Sequence, residues 1–139
     1  MLPLRPIQIL GLVLAPWTAF AARPEIDDAA WMALPEAERA AFEVREEAIA
    51  AADAEVDAAR LALDREQSVE LGERSERDAE YVSLMEARGA VATAELELDK
   101  ARAVGRAGTT VDLGVFEVAA ASAQWDLAHA EHEVAVLAL

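Results

Sequence analysis

Residues 64–80, DREQSVELGERSERDAE, decide how the chain is built. On their N-terminal side Phe42, Ile49, Val56 and Leu63 recur every seven residues, with Ala52 and Ala59 between them. This is the seam spacing of a coiled helix. Carried onward unchanged, the register meets polar Glu70 and Arg77, then returns in phase at Leu84, Val91 and Leu98, with Ala87, Ala94 and Ala101 beside them. A stripe that fades and returns in phase predicts one helix from about Pro35 to Val104, on the order of 100 Å long at 1.5 Å per residue. The alternative is two helices broken near Ser68, Gly72 and Ser75, with the registers agreeing by accident. Gly89 lies between in-phase pairs and reads as a helix-interior glycine rather than a turn.

The next change of character comes at residues 103–118, AVGRAGTTVDLGVFEV. Gly105 takes the position where the stripe would continue, and a glycine can supply the positive φ that closes a helix. Gly108 adds a second flexible point. Thr109-x-x-Asp112 fits a capping box, so a new helix is expected from about Thr110 to the end. In it Leu113, Phe116, Ala120, Ala123, Leu127, Ala130, Val134 and Leu137 make an unbroken three–four stripe. Val115, Val118, Trp125, Val136 and Leu139 make a second one. A single hairpin partner covers one stripe, so the second predicts a further helix.

Composition agrees with this reading. The chain has 139 residues and a net charge of −15, with 55% hydrophobic but only 5% aromatic residues. Much of the apolar content is alanine, which favours long helices with shallow seams over a thick core. The acidity excludes nucleic acid as a natural partner. Cysteine is absent, so there is neither a disulfide framework nor thiolate chemistry.

Residues 1–21 read as a signal peptide. Arg5 supplies the positive end, Ile7 to Val13 the apolar stretch, and Ala19-Phe20-Ala21 the small residues before cleavage at Ala22. Residues 22–34 follow as a leader with about one helical turn from Asp27. Residues 35–139 form the helical hairpin domain, with its turn near 105–110. Pro35 suits the first position of a helix, with Glu36 and Glu38 in the first turn where the helix dipole favours acids. The mature chain is then expected in the periplasm or at the outer membrane, with no transmembrane helix.

Catalytic constellations are not legible. His129 and His132 form an H-x-x-H pair with Asp126 and Glu133 nearby, a weak metal signal against two polar residues on a helix. The carboxylates alternate with arginine and alanine as solvated faces do, with pairs such as Glu73–Arg77. The Gly-rich turn lacks a phosphate-loop lysine and follows no strand. Trp31 and Trp125 read as helix–helix anchors. The expectation is a non-enzyme without cofactor, catalytic residue or metal site.

Two phrases carry a resemblance. IAAADAEVDAARLAL (49–63) is similar to the first long helix of TolC-type outer-membrane efflux proteins, and GRAGTTVDL (105–113) is similar to that family's periplasmic turn. The resemblance implies a hairpin tip that meets a partner through Gly105, Arg106, Gly108, Thr109 and Thr110. It also implies assembly with copies of itself or with envelope transport proteins. The family's barrel strands and second repeat are absent from this sequence. LMEARGAVATAELELDKARA (84–103) also resembles the hairpin of periplasmic adaptor proteins, without their lipoyl-like strands. The leading expectation is therefore all-α: a long antiparallel helical hairpin, assembling with further helices in an envelope transport or efflux complex. The alternative is a small periplasmic helical metal sensor or chaperone, since LPEAERAAF (34–42) resembles the entry helix of periplasmic metal-responsive proteins. His129 and His132 would then be the ligands.

Overall fold

A computed structural model describes residues 25–69 and 73–138. These residues form four helices: α1 (Asp28–Met32), α2 (Glu36–Val69), α3 (Glu73–Arg106) and α4 (Leu113–Leu137). No strand occurs among them. The fold is all-α and is built from antiparallel helix pairs, α2 with α3 and α3 with α4. The signal-peptide expectation for residues 1–21 lies outside the described residues.

The single helix from Pro35 to Val104 is corrected. The chain instead folds back between Val69 and Glu73, and α2 and α3 are each 34 residues long, about 50 Å. Cross-helix ion pairs establish the direction. Arg45 meets Asp99 at 2.8 Å and Lys100 meets Glu46, both 54 residues apart in sequence. Nearer the reversal, Arg60 meets Glu86 at 2.7 Å across 26 residues. Separation that shrinks along the pairing is the mark of an antiparallel hairpin.

The in-phase return has a physical explanation. α3 carries two apolar faces, and the stripe that continues the register is not the one that meets α2. Val82, Gly89, Leu96 and Ala103 lie seven apart, with Thr93 and Lys100 between them, and this face turns to α2. At Gly89 the helices come close: a Cβ there would sit 3.2 Å from Asp53 Oδ1. The register-continuing residues Ala94, Leu98 and Ala101 pack instead with Phe116 and Ala120 of α4. Gly89 itself is helix interior, as its phase required.

The leader is more than a tail. Ala30 and Leu34 are buried against Ala103 and Val104 at the end of α3, with Ile26, Trp31 and Phe42 packed around them. Pro35 takes the capping position, its carbonyl accepting from the Glu38 and Arg39 amides at 3.1 Å, and α2 begins one residue later.

The second reversal lies where the Gly/Thr sequence places it, but two details are corrected. Gly105 remains in α3; the positive φ, 101°, belongs to Gly108. The Gly108 amide donates to the Gly105 carbonyl at 3.2 Å and the Thr109 amide to the Val104 carbonyl at 3.3 Å. This paired closure satisfies carbonyls that the helix end leaves open. The capping residue of α4 is Asp112 rather than Thr109, its carboxylate accepting from the Gly114 amide at 3.1 Å, so α4 starts at Leu113 and not near Thr110. Thr109 has already spent its amide on α3, and half-buried Val111 packs between the helix ends.

The two turn glycines should respond in opposite directions to alanine. Neither Cβ would meet an atom within 4 Å, so backbone conformation alone decides. Gly108→Ala should lower stability by about 1 kcal/mol, and Gly105→Ala should raise it by about 0.5–1 kcal/mol, in urea unfolding. Equal effects at both sites would mean that the helix does not close at Gly108.

The Arg60–Glu86 pair gives the fold a pH dependence. The hydrogen bond from Arg60 holds the Glu86 carboxyl below its ordinary range; partial burial opposes this, and the guanidinium charge reinforces it. A depressed folded-state value means stability fully present above the unfolded value of about 4.3 and lost as pH falls through the folded value. With side chains 53% and 39% exposed, the pair belongs with surface ion pairs, which solvent screens and which add little to stability. The stability difference between the wild type and Glu86→Gln should therefore be small at pH 7 and vanish on acidification, and 0.5 M salt should reduce it. A difference that grows with acid would contradict the pairing.

Candidate interaction surface

Four α-helices offer few places for chemistry, and each sequence candidate has a definite position. Gly105, Arg106, Gly108, Thr109 and Thr110 come together around one surface hollow of about 550 Å³ at the α3–α4 reversal. Thr109 is half-buried and the other four are exposed. Gly108 and Thr109 are engaged in closing α3 through their backbone amides. Arg106 is the last residue of α3, where a cation suits the negative end of the helix dipole.

His129 and His132 both lie on α4 and are exposed. His129 Nε2 is 4.0 Å from Glu133 Oε1. Among the described residues no group of three or more His, Asp or Glu side chains is placed to hold a metal ion.

α2 and α4 flank α3 without closing over it. They leave a groove of about 1100 Å³ with Gly89, Thr93 and Lys100 in its floor and Glu46, Ile49 and Asp53 along one wall. At one end is a polar node that the sequence reading did not find. Lys100, the only lysine of the chain, is 8% exposed. Its ammonium pairs with Glu46 of α2 and, at 3.3 Å, with Glu97 of its own helix. It also lies 4.9 Å from the centre of the Trp31 ring of α1, and that ring stands 5.9 Å from Phe42. A cation over an aromatic face is attracted by the ring's electrons. The node joins α1, α2 and α3 and leaves Lys100 engaged with carboxylates, a structural arrangement rather than a free amine. The available signal was a lysine at the spacing of the α2-facing stripe, with a glutamate three residues before it.

The largest uncommitted feature is α4 itself. Its first stripe packs inward: Phe116 and Ala120 are buried, and Leu113, Ala123, Leu127, Ala130 and Val134 are half-buried. Its second stripe is uncovered. Val118 is 70% exposed and Trp125 78%, with Val115 and Val136 also exposed. The further helix that this stripe called for is not supplied by α2, whose extensive pairing is with α3. Ser122, His129 and His132 fall on the same line, at residues 115, 118, 122, 125, 129, 132 and 136. The histidines are therefore members of an outward seam. Trp31 is a helix anchor as expected, whereas Trp125 anchors no other helix among the described residues.

No helix among the described residues is long and apolar enough to cross a membrane. The chain matches no protein-family model, no curated protein and no solved structure.

The two stripes of α4 should separate cleanly under mutation. Phe116→Ala removes a buried ring and should cost about 3–5 kcal/mol in chemical unfolding. Trp125→Ala should change stability by no more than about 0.5 kcal/mol, because the described residues leave its side chain largely uncovered. A large loss at Trp125 would show that its face is covered in the isolated protein.

Proposed function

We propose that the chain is a non-enzymatic, exported helical protein that acts by joining an assembly in the cell envelope. One observation carries this reading: α4 presents a second apolar stripe, with Trp125 78% exposed at its centre, that no other described helix covers. Single exposed apolar residues are ordinary on protein surfaces, but a seam at regular three–four spacing along a helix is the arrangement by which helices pair. The signal-peptide character of residues 1–21 supports export. A site for catalysis has no comparable support, since the titratable groups lie on solvated helix faces or in the Lys100 ion pairs.

A transport or efflux role, as in TolC-type proteins, is the finer form of this proposal. It rests on the resemblance of residues 49–63 and 105–113 and on the presence of a glycine-closed reversal where the second phrase lies. In that form Gly105, Arg106, Gly108, Thr109 and Thr110 are the tip that touches a partner. The fold-back at residues 69–73 counts against it, because α2 and α3 lie side by side rather than end to end. The coarser reading, a helical envelope-assembly protein, is the better supported of the two.

Site-specific photocrosslinking in the native host tests both. A photoreactive residue in place of Trp125 should give a discrete adduct with an envelope protein or with another copy. One in place of Phe116, which faces α3, should crosslink only within the chain. A further probe at Thr110 tests the tip: an adduct there supports the transport form, and adducts at Trp125 alone remove it. No adduct at either exposed position would overturn the assembly reading.

A further inference from the structure

The identity of what covers the outer face of α4 can be taken further, resting on the assembly reading above. The seam from Val115 to Val136 spans 21 residue steps, about 32 Å of helix. Its borders are the informative part. Asp126 and Glu133 lie along one side, Ala121, Ala128 and Ala135 along the other, and no lysine or arginine occurs anywhere after Arg106. Asp126 has no ion pair or hydrogen bond among the described residues, and Glu133 meets only His129 of its own helix, at 4.0 Å. On α2 and α3, by contrast, acids are answered by bases, as at Arg45–Asp99 and Arg60–Glu86. α4 is thus an apolar seam with one acidic border, which no lysine or arginine answers, and one low border of alanines.

We propose that this face docks an amphipathic helix of a different protein whose apolar stripe is bordered by lysine or arginine. Three physical arguments select that occupant. Charges beside a helix seam set partner choice, and only a basic border complements Asp126 and Glu133. A second copy pairing α4 with α4 would set acid against acid in a chain of net charge −15, and an anionic membrane surface would meet the same repulsion. Finally, Ala121, Ala128 and Ala135 recur every seven residues next to the seam and keep its edge low, so that a second helix backbone can approach closely. An α-helix has no free backbone edge for an added strand, so recognition runs through side chains in the helix-on-helix mode. Trp125, large and exposed, is the anchor of the interface.

The test uses the full chain and synthetic peptides of about four heptads with leucine at the seam positions. One carries lysine and arginine on its borders, a second carries glutamate there, and a third keeps the basic borders but has serine in the seam. Titration is followed by calorimetry. The basic amphipathic peptide should bind, at least about tenfold more tightly than either control, and the advantage over the acidic peptide should shrink as salt rises. Trp125→Glu should abolish binding without unfolding the chain. The double change Asp126→Gln and Glu133→Gln should weaken binding by about tenfold while leaving the seam intact.

Other outcomes overturn the proposal in distinguishable ways. Equal binding of the basic- and acidic-bordered peptides would refute the charge rule while leaving α4 a docking face. Binding of the serine-seam peptide as tightly as the leucine one, or survival of binding in Trp125→Glu, would reduce the effect to general attraction to an acidic chain. Absence of peptide binding together with self-association that Trp125→Glu abolishes would assign the face to a second copy; the assembly reading would then stand and this inference would fall. A monomer that binds none of the peptides, and gives no adduct in the photocrosslinking above, would remove both.

Discussion

α3 has to be buried along two opposite faces at once, and the rest of the structure follows from that constraint. A helix with one apolar stripe needs one partner; α3 needs two, and its neighbours in sequence supply them. α2 covers the line through Val82, Gly89, Leu96 and Ala103, and α4 covers the line through Ala94, Leu98 and Ala101. The two requirements force two reversals of the chain. They also leave α2 and α4 on either side of α3, with the open groove between them.

With so few aromatic residues, the seams depend on close approach rather than on bulk. Gly89 against Asp53, Ala101 against Phe116 and Ala103 against Leu34 bring backbones near one another where larger side chains would hold them apart. Buried area per residue is then modest, and polar groups carry part of the specificity. Three cross-helix ion pairs fix the register of α2 on α3, and the Lys100 node fixes α1 on both. Partial exposure limits what each pair adds to stability, but it does not limit what the set adds to alignment.

Much of this was legible in the sequence. The inner stripe of α4, the interior position of Gly89, the glycine-closed second reversal and the uncovered outer stripe all follow from spacing. The fold-back near Gly72 was present only as a fading of the pattern, and a seven-residue register cannot say which partner a stripe faces. Leu98 and Ala101 continue the line of Phe42 and Ile49 in number but meet a different helix. The Lys100 node was hidden for a related reason: a single lysine in a helix reads as solvent-facing unless the aromatic ring that covers it, 69 positions earlier, is known to fold back onto it. The helix-start error at Thr109 was a competition for one amide, which the paired closure of α3 wins.

The burial of Lys100 has a consequence for how this protein behaves toward reagents. It holds the chain's only side-chain amine, so in the folded state that amine lies beneath an indole ring and between two carboxylates. Acylating agents and amine-directed linkers therefore find little to modify on the surface of an otherwise highly charged molecule. Acylation at this position reports how often α1 lifts away from the end of the hairpin. The lysine is a built-in clock for the opening of that end of the fold.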